Sequence, residues 1–216
     1  MLIDKKAIVK AIDESKKNSK KRKFNQSIDL ILNLVELDLK KPESRINELI
    51  ELPHSPRKKT TIVVFATGDL AFRSKDANVD RVFGKEDLDK LSNDKKSAKK
   101  LAKETNFFIA EAPLMSLIGR VLGPSLGPRG KMPTPITHTV AINEIVERHR
   151  KTVRMRVRDQ MNSQCSIGTE DMSSDLIADN AQTILTRLEG KLPKGLKNIK
   201  SVFVKTTMGP LTKIEL

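Results

Sequence analysis

The stretch Thr61-Ile62-Val63-Val64-Phe65-Ala66-Thr67-Gly68-Asp69 decides the fold. Its apolar residues run without interruption from Ile62 to Ala66 and stop at a Thr-Gly-Asp sequence. An apolar run of this length predicts a strand that is buried on both faces, as in a parallel sheet. Helical and strand-like patterns alternate from there to His149, and this alternation predicts a small open α/β domain with right-handed crossovers.

The sequence on either side of this region has a different pattern. Apolar and polar residues alternate from Phe24 to Leu34 and from Thr152 to Arg158, which predicts half-exposed strands. A turn is expected at 40–43. We therefore predict an α+β split outer domain, residues 1–61 and 152–216, that carries an inserted α/β Rossmann-like domain, residues 62–151, with a hinge between the two domains.

The charge of the chain favours a polyanionic partner. Its 216 residues carry a formal net charge of +14, and nucleic acid is the commonest polyanion. The outer segments hold 25 basic and 16 acidic residues, against 16 basic and 11 acidic in the middle segment. A generic basic surface is the alternative. The candidates for RNA phosphates are a lysine run and an arginine row on one strand face: Lys20, Lys21, Lys23, Arg154, Arg156 and Arg158.

Several classes of function are excluded by what the sequence lacks. Trp and Tyr are absent and aromatic residues make up 3%, which argues against an aromatic stacking platform for single strands. The histidines and the single cysteine, Cys165, have no metal-ligand spacing, and no nucleophile or phosphate-binding motif is present. We therefore expect no cofactor, no metal and no enzymatic activity. Without an apolar run of about 18 residues, a cytoplasmic protein with no membrane partner is expected.

A loop rich in Gly and Pro follows the helix that is predicted at Pro113–Leu122. Its glycines could present backbone N–H groups to a phosphate. However, its prolines remove donors, and it follows a helix rather than a strand. A stiff interaction loop is the better interpretation, and its candidate residues are Gly123, Gly127, Arg129, Gly130 and Lys131.

The turn Thr206-Thr207-Met208-Gly209-Pro210 is a candidate for direct RNA contact. Threonine hydroxyls donate and accept hydrogen bonds, as a ribose 2′-OH requires. Gly209 has no Cβ, so another backbone can approach it, and Pro210 stiffens the exit. An ordinary strand-ending turn explains the same residues equally well.

Three stretches of the chain resemble the ribosomal protein L1 family, in its archaeal form. They are Phe24-Asn25-Gln26-Ser27-Ile28, the loop from Leu122 to Pro135, and the turn from Thr206 to Pro210. The segment Leu176-Ile177-Ala178-Asp179-Asn180 also fits a late helix of that family. The resemblance spans nearly the whole chain, and it implies the split architecture.

The resemblance also implies a function. Members of the family bind a stalk of large-subunit ribosomal RNA near the exit site, help to release deacylated tRNA, and repress their own mRNA. The free protein is expected to be a monomer. Bacterial members tend to have His where Gln164 stands. The RNA-binding residues that the resemblance implies are Phe24, Ser27, Gln164, Gly168, Thr206, Thr207, Met208 and Gly209.

Two other classes of function remain as alternatives. A DNA-binding architectural or regulatory protein would carry the same charge, but no helix-turn-helix, zinc finger or basic zipper is visible. A nucleotide-dependent enzyme would use the α/β domain, but the Gly-rich strand-to-helix fingerprint is missing.

Overall fold

The computed structural model describes residues 4–38, 46–56, 59–137, 140–158 and 160–215. The turn expected at 40–43 lies outside these ranges. The chain divides into two compact units. The discontinuous unit comprises Met1–Lys58 and Lys151–Leu216, and the inserted unit comprises Lys59–Arg150.

The secondary structure mixes strands and helices throughout the chain. The strands are β1 (Ser27–Leu34), β2 (Ile46–Glu51), β3 (Ile62–Phe65), β4 (Arg81–Phe83), β5 (Phe107–Glu111), β6 (Thr134–Ile136), β7 (Thr152–Val157), β8 (Asn162–Thr169), β9 (Ile199–Thr206) and β10 (Thr212–Ile214). The helices are α1 (Lys5–Lys17), α2 (Gly68–Asp76), α3 (Lys85–Asn93), α4 (Lys95–Glu104), α5 (Met115–Val121), α6 (Gly123–Leu126), α7 (Ile142–Lys151) and α8 (Ser174–Glu189). Short 3-10 turns lie at Ala112–Leu114 and Gly195–Asn198. None of the described helices is long and apolar enough to cross a membrane.

The discontinuous unit is built on a four-stranded antiparallel sheet, with the strand order β10-β9-β1-β8. Alternate residues of β1 are buried on one face, and the residues between them are half-exposed. The buried face packs against apolar residues of α1 and α8, such as Ile8, Ile12, Ile177 and Ile184. The predicted half-exposed strand is therefore confirmed for β1.

The strands β2 and β7 form a separate two-stranded antiparallel sheet in the discontinuous unit. They pair along their whole length, from Ile46 opposite Val157 to Glu51 opposite Thr152. The pairing continues beyond the strands, because Leu52 N donates to the carbonyl of residue 151 at 3.0 Å. The segment that leads into the inserted unit and the segment that follows it are therefore neighbours in this sheet.

The inserted unit contains a four-stranded parallel sheet with the order β4-β3-β5-β6. All four residues of β3 are buried. Val63 and Phe65 belong to the cluster formed with α3 to α6, and Ile62 and Val64 belong to the cluster formed with α2 and α7. The prediction of a strand that is covered on both faces is confirmed.

The start of β1 and the loop at 123–135 differ from the prediction. β1 begins at Ser27 rather than Phe24, because backbone pairing with β8 and β9 starts only there. The loop predicted at 123–135 contains the helical turn α6 and the beginning of β6, which forms the edge strand of the parallel sheet.

Candidate RNA interface

Three strand ends meet at one end of the four-stranded sheet. Because β1 runs antiparallel to both of its neighbours, its first residues lie beside the last residues of β8 and β9. Ser27 is opposite Thr169 in β8, and Ile28 is opposite Thr206 in β9. We call residues 24–27 together with the turn 206–209 the sheet-end surface.

The turn after β9 is fastened to the first residue of β1. Thr207 N donates to Ser27 O at 3.0 Å. Ser27 N donates to Thr207 Oγ1 at 3.1 Å, and this hydroxyl in turn donates to Ser27 O at 3.2 Å. The exposed Thr207 hydroxyl thus keeps one acceptor position for a ribose 2′-OH. Met208 is 59% exposed and Phe24 is 52% exposed, so the surface also offers two apolar side chains.

Gln26 connects this turn to the lysine run, a role that the sequence alone did not predict. The residue has no exposed surface. Its Oε1 accepts from Met208 N at 3.1 Å, while its Nε2 donates to Ser19 Oγ at 2.9 Å and to Lys20 O at 3.1 Å. Gln26 lies two positions before the buried Ile28, and residues two positions apart in an extended chain point to the same face. This spacing is the feature of the sequence that indicates a buried, hydrogen-bonded side chain at Gln26.

The variant Gln26→Ala is expected to lower both stability and RNA affinity. It leaves the Met208 N–H and the Lys20 carbonyl without their partner, a loss of about 1–3 kcal/mol for groups that stay buried. We expect a lower Tm by circular dichroism and weaker binding of the stalk fragment in a fluorescence titration. The matched control is Gln182→Ala, which removes the same type of side chain from α8, outside the sheet-end surface. Identical Tm and affinity for the two variants would refute the anchoring role of Gln26.

Thr206 and Gly209 form the inner side of the turn. Thr206 is fully buried, and its hydroxyl donates to Ser19 Oγ at 2.9 Å. A Cβ on Gly209 would lie 2.2 Å from Thr206 Oγ1 and 3.5 Å from Ser19 Cβ. Glycine is therefore required here because a side chain would clash with Thr206 of the same turn. The prediction that Gly209 allows another backbone to approach is corrected. With no exposed surface, Thr206 acts in this conformation by positioning the turn.

Two further predicted residues lie in β8, where Gly168 is opposite Ile28 beside the sheet-end surface and Gln164 is farther along the strand. Gln164 is exposed and stands opposite Ile31, four residues or about 13 Å along the strand from Gly168. Gly168 is buried, and a Cβ there would lie 2.8 Å from Ile177 Cγ1 and 3.3 Å from Met172 Sδ. Gly168 thus provides close packing against α8.

The lysine run connects α1 to β1. Lys20, Lys21 and Lys23 are exposed, and the Lys20 carbonyl is held by Gln26. Lys16 differs from them, because its Nζ donates to Met172 O at 2.5 Å. Burial lowers the pKa of the Lys16 ammonium, and neighbouring carboxylates act in the opposite direction. Lys20, Lys21 and Lys23 thus present their charges to solvent, together with the exposed Arg22.

The predicted arginine row lies on β7, which belongs to the two-stranded sheet rather than to the sheet-end surface. Arg154 is opposite Leu49 and Arg156 is opposite Asn47, and both arginines are half-buried, whereas Arg158 is exposed. Burial lowers the pKa of the Arg154 guanidinium, and the positive charge of Arg156 lowers it further.

The cationic side chains of the loop rich in Gly and Pro donate hydrogen bonds to backbone carbonyls of the inserted unit. Lys131 Nζ donates to Ala102 O at 3.0 Å and to Thr105 O at 2.5 Å, at the end of α4. Arg129 Nη1 donates to Ser125 O at 2.9 Å. The loop is therefore packed onto its own unit. The three glycines predicted for it lie in and after α6: Gly123, Gly127 and Gly130.

A nucleotide-binding protein with an open α/β sheet would bind phosphate at the carboxyl ends of β3 and β5. Glu111 is 3% exposed there, and its Oε2 accepts from Thr67 N and from Thr67 Oγ1, both at 2.9 Å. A phosphate would meet this carboxylate at the start of α2, which disfavours nucleotide binding. Within the described ranges, no group of three or more His, Cys, Asp or Glu could hold a metal ion.

Comparison with known proteins decides the family. The model of the Ribosomal protein L1p/L10e family matches residues 15–210. The chain belongs to this family. The L1 family match includes every position that was predicted to contact RNA at the sheet-end surface, and the mixed α/β fold with a parallel sheet is the fold of the family.

Archaeal relatives in the L1 family match the chain over nearly its whole length. "Large ribosomal subunit protein uL1" of Archaeoglobus fulgidus is 46% identical over 214 residues, which cover 99% of this chain and 100% of that protein. The proteins of the same name from Methanobrevibacter smithii and Hyperthermus butylicus are 45% and 44% identical, over 96% and 99% of this chain and 98% of each relative.

Proposed function

We propose that this chain is a structural protein of the large ribosomal subunit, and that its discontinuous unit binds a ribosomal RNA stalk near the tRNA exit site. The protein acts in the cytoplasm and catalyses no reaction. The names of its archaeal relatives, all large ribosomal subunit proteins, support the assignment.

The sheet-end surface is the observation that carries the proposal. Phe24 and Met208 are exposed beside the bonded pair of Ser27 and Thr207, and the exposed lysines begin at Lys20, whose carbonyl is anchored by the same glutamine as the turn. One surface thus combines apolar contact with sugars or bases, hydrogen bonding to a 2′-OH and cations for phosphates.

Two further activities of the protein follow from the family resemblance. The chain contacts the departing tRNA and helps its release, and it represses its own mRNA when that RNA presents a fold like the ribosomal site. A hinge at β2 and β7, the two strands that lead to the inserted unit and back, lets the inserted unit change its orientation while RNA stays bound.

Removal of the inserted unit is expected to leave recognition of the stalk intact. The whole sheet-end surface belongs to the discontinuous unit, and the paired strands β2 and β7 hold the two cut ends at neighbouring positions. When a short Gly/Ser linker replaces residues 59–150, we expect the Kd for the stalk fragment to rise less than about a hundredfold, which corresponds to 2.7 kcal/mol. A larger rise in a fluorescence titration would assign part of the primary RNA site to the inserted unit.

Gel-shift titrations of the full chain over a salt series test the proposed function. The three ligands are the ribosomal RNA stalk fragment, tRNA and a DNA duplex of equal length. We expect the stalk fragment to bind most tightly, with a log–log salt slope of about −0.7 to −0.9 for each neutralised phosphate. Equal affinity for the DNA duplex would favour the DNA-binding alternative, and a slope near zero would refute the electrostatic part of the proposal.

A further inference from the structure

Helix α4 of the inserted unit carries a basic face that the proposed function does not use. At 3.6 residues per turn its lysines project within an arc of about 140°, and all of them are exposed: Lys95, Lys96, Lys99, Lys100 and Lys103. The opposite side of the helix is buried in the unit through Ala98, Leu101 and Ala102. We call the five lysines the α4 basic face.

The cations of the α4 basic face have few partners within the chain. Lys100 Nζ lies 4.0 Å from Glu104 Oε1. In the part of the chain that the structure describes, no carboxylate lies within 4.0 Å of the other four ammonium groups. Helix α2 of the same unit contrasts with this arrangement, because it pairs Arg73 with Asp69 one turn earlier.

The arrangement works against the stability of the helix. Lys95 and Lys96 occupy the first turn, which contains no acidic residue and where the helix dipole disfavours cations. Lys95, Lys99 and Lys103 follow one another at i, i+4, a spacing at which like charges repel. The cap by Asp94 offsets part of this cost. Glutamates at some of these positions would give solubility without repulsion, so the pattern points to an anionic partner.

We propose that the α4 basic face binds the phosphate backbone of helical RNA, at a site separate from the sheet-end surface. Lysines at i, i+4 lie about 6 Å apart along the axis, a spacing that suits successive phosphates of one strand. The helix contains no aromatic residue, so base stacking plays no part and the contact depends on backbone shape and charge. The choice of RNA as the polyanion rests on the proposed function.

Lysine footprinting on the full chain tests this inference. The protein is first saturated with the stalk fragment, so that Lys20, Lys21 and Lys23 are covered, and is then mixed with a random-sequence RNA duplex of about 16 base pairs. Acetylation of each lysine is read by mass spectrometry. We expect the duplex to protect the α4 basic face and to leave Lys75 unprotected, because Lys75 belongs to α2 on the other side of the parallel sheet.

Two triple variants of α4 separate charge from structure. In Lys95→Gln/Lys99→Gln/Lys103→Gln, we expect the salt slope for the duplex to become shallower by about 2 and the affinity to fall about a hundredfold near 0.1 M salt. The corresponding triple Lys→Arg variant keeps the charge and should bind as the native chain does. The control Lys75→Gln removes one charge from α2 and should change nothing.

Three outcomes would overturn the inference. The first is equal acetylation of the α4 basic face with and without the duplex, and the second is native duplex binding by the Lys→Gln triple variant. The third is protection of the α4 basic face by poly-glutamate to the same extent as by the duplex, which would make the partner an acidic protein. A failure of the proposed function looks different, because the stalk fragment would then leave Lys20, Lys21 and Lys23 unprotected in the first step.

Discussion

Gly209→Ala is expected to abolish tight binding of the stalk RNA and to lower the stability of the discontinuous unit. The added Cβ would lie 2.2 Å from Thr206 Oγ1, and Thr206 cannot yield, because it is fully buried and bonded to Ser19. The turn must therefore shift and carry Met208 out of place. Overpacking of this kind costs about 1–3 kcal/mol, and we expect the Kd to rise more than about a hundredfold. Circular dichroism melting and a fluorescence titration measure the two effects.

The matched control for this substitution is Gly119→Ala in α5. It adds the same methyl group at a position where, apart from the chain neighbours and the backbone of α5, no heavy atom of the described residues lies within 4 Å of the new Cβ, and it should change neither Tm nor affinity by much. Gly209→Val is expected to do more damage than Gly209→Ala. Native RNA affinity of Gly209→Ala would mean that the turn does not position the interface.

Replacing Lys20, Lys21 and Lys23 together with Gln is expected to remove a large part of the electrostatic binding. Each phosphate contact contributes about −0.7 to −0.9 to the log–log salt slope. Loss of the three contacts should make the slope shallower by about 2 and weaken binding about a hundredfold near 0.1 M salt. The fold should be unaffected, because all three side chains are exposed and lie outside the helices and strands. Gel-shift titrations over a salt series provide the measurement.

Two controls accompany the lysine triple variant. The triple Lys→Arg variant of the same positions keeps the charge and should keep the slope. Removing three exposed lysines elsewhere, Lys10, Lys75 and Lys200, changes the net charge equally and should leave the slope almost unchanged. An equal loss of affinity in this second control would show that net charge, and not the run before β1, governs binding.

The strands were predictable because the number of buried faces determines how apolar residues are spaced along each strand. One buried face gives β1 its alternation of apolar and polar residues. Two buried faces remove the alternation in β3, where each residue is apolar. The strand β6 was not predicted, since it has only three residues, includes Pro135 and lies at the edge of its sheet.

The candidate site was predictable only in part. The resemblance identified Phe24, Ser27 and the turn, but not Gln26, whose partner Met208 is 182 positions away along the chain. Contacts of this kind depend on the register between β1 and β9, and the register is set by the packed sheet. The clash that requires glycine at position 209 could not be predicted from the sequence either, because it depends on where the Thr206 hydroxyl points.

Methionine oxidation on the complex with the stalk RNA tests the central claim most directly. The rate of thioether oxidation follows exposure, and the chain provides its own controls, since Met208 is 59% exposed, Met161 43% and Met132 41%. Met161 bonds to Leu34 at the far end of β1 and Met132 belongs to the inserted unit. We predict that saturating stalk RNA suppresses oxidation of Met208 and leaves the rates at Met161 and Met132 unchanged. Oxidation of Met208 at the rate of the free protein, in a complex of native affinity, would contradict an RNA interface at the sheet-end surface.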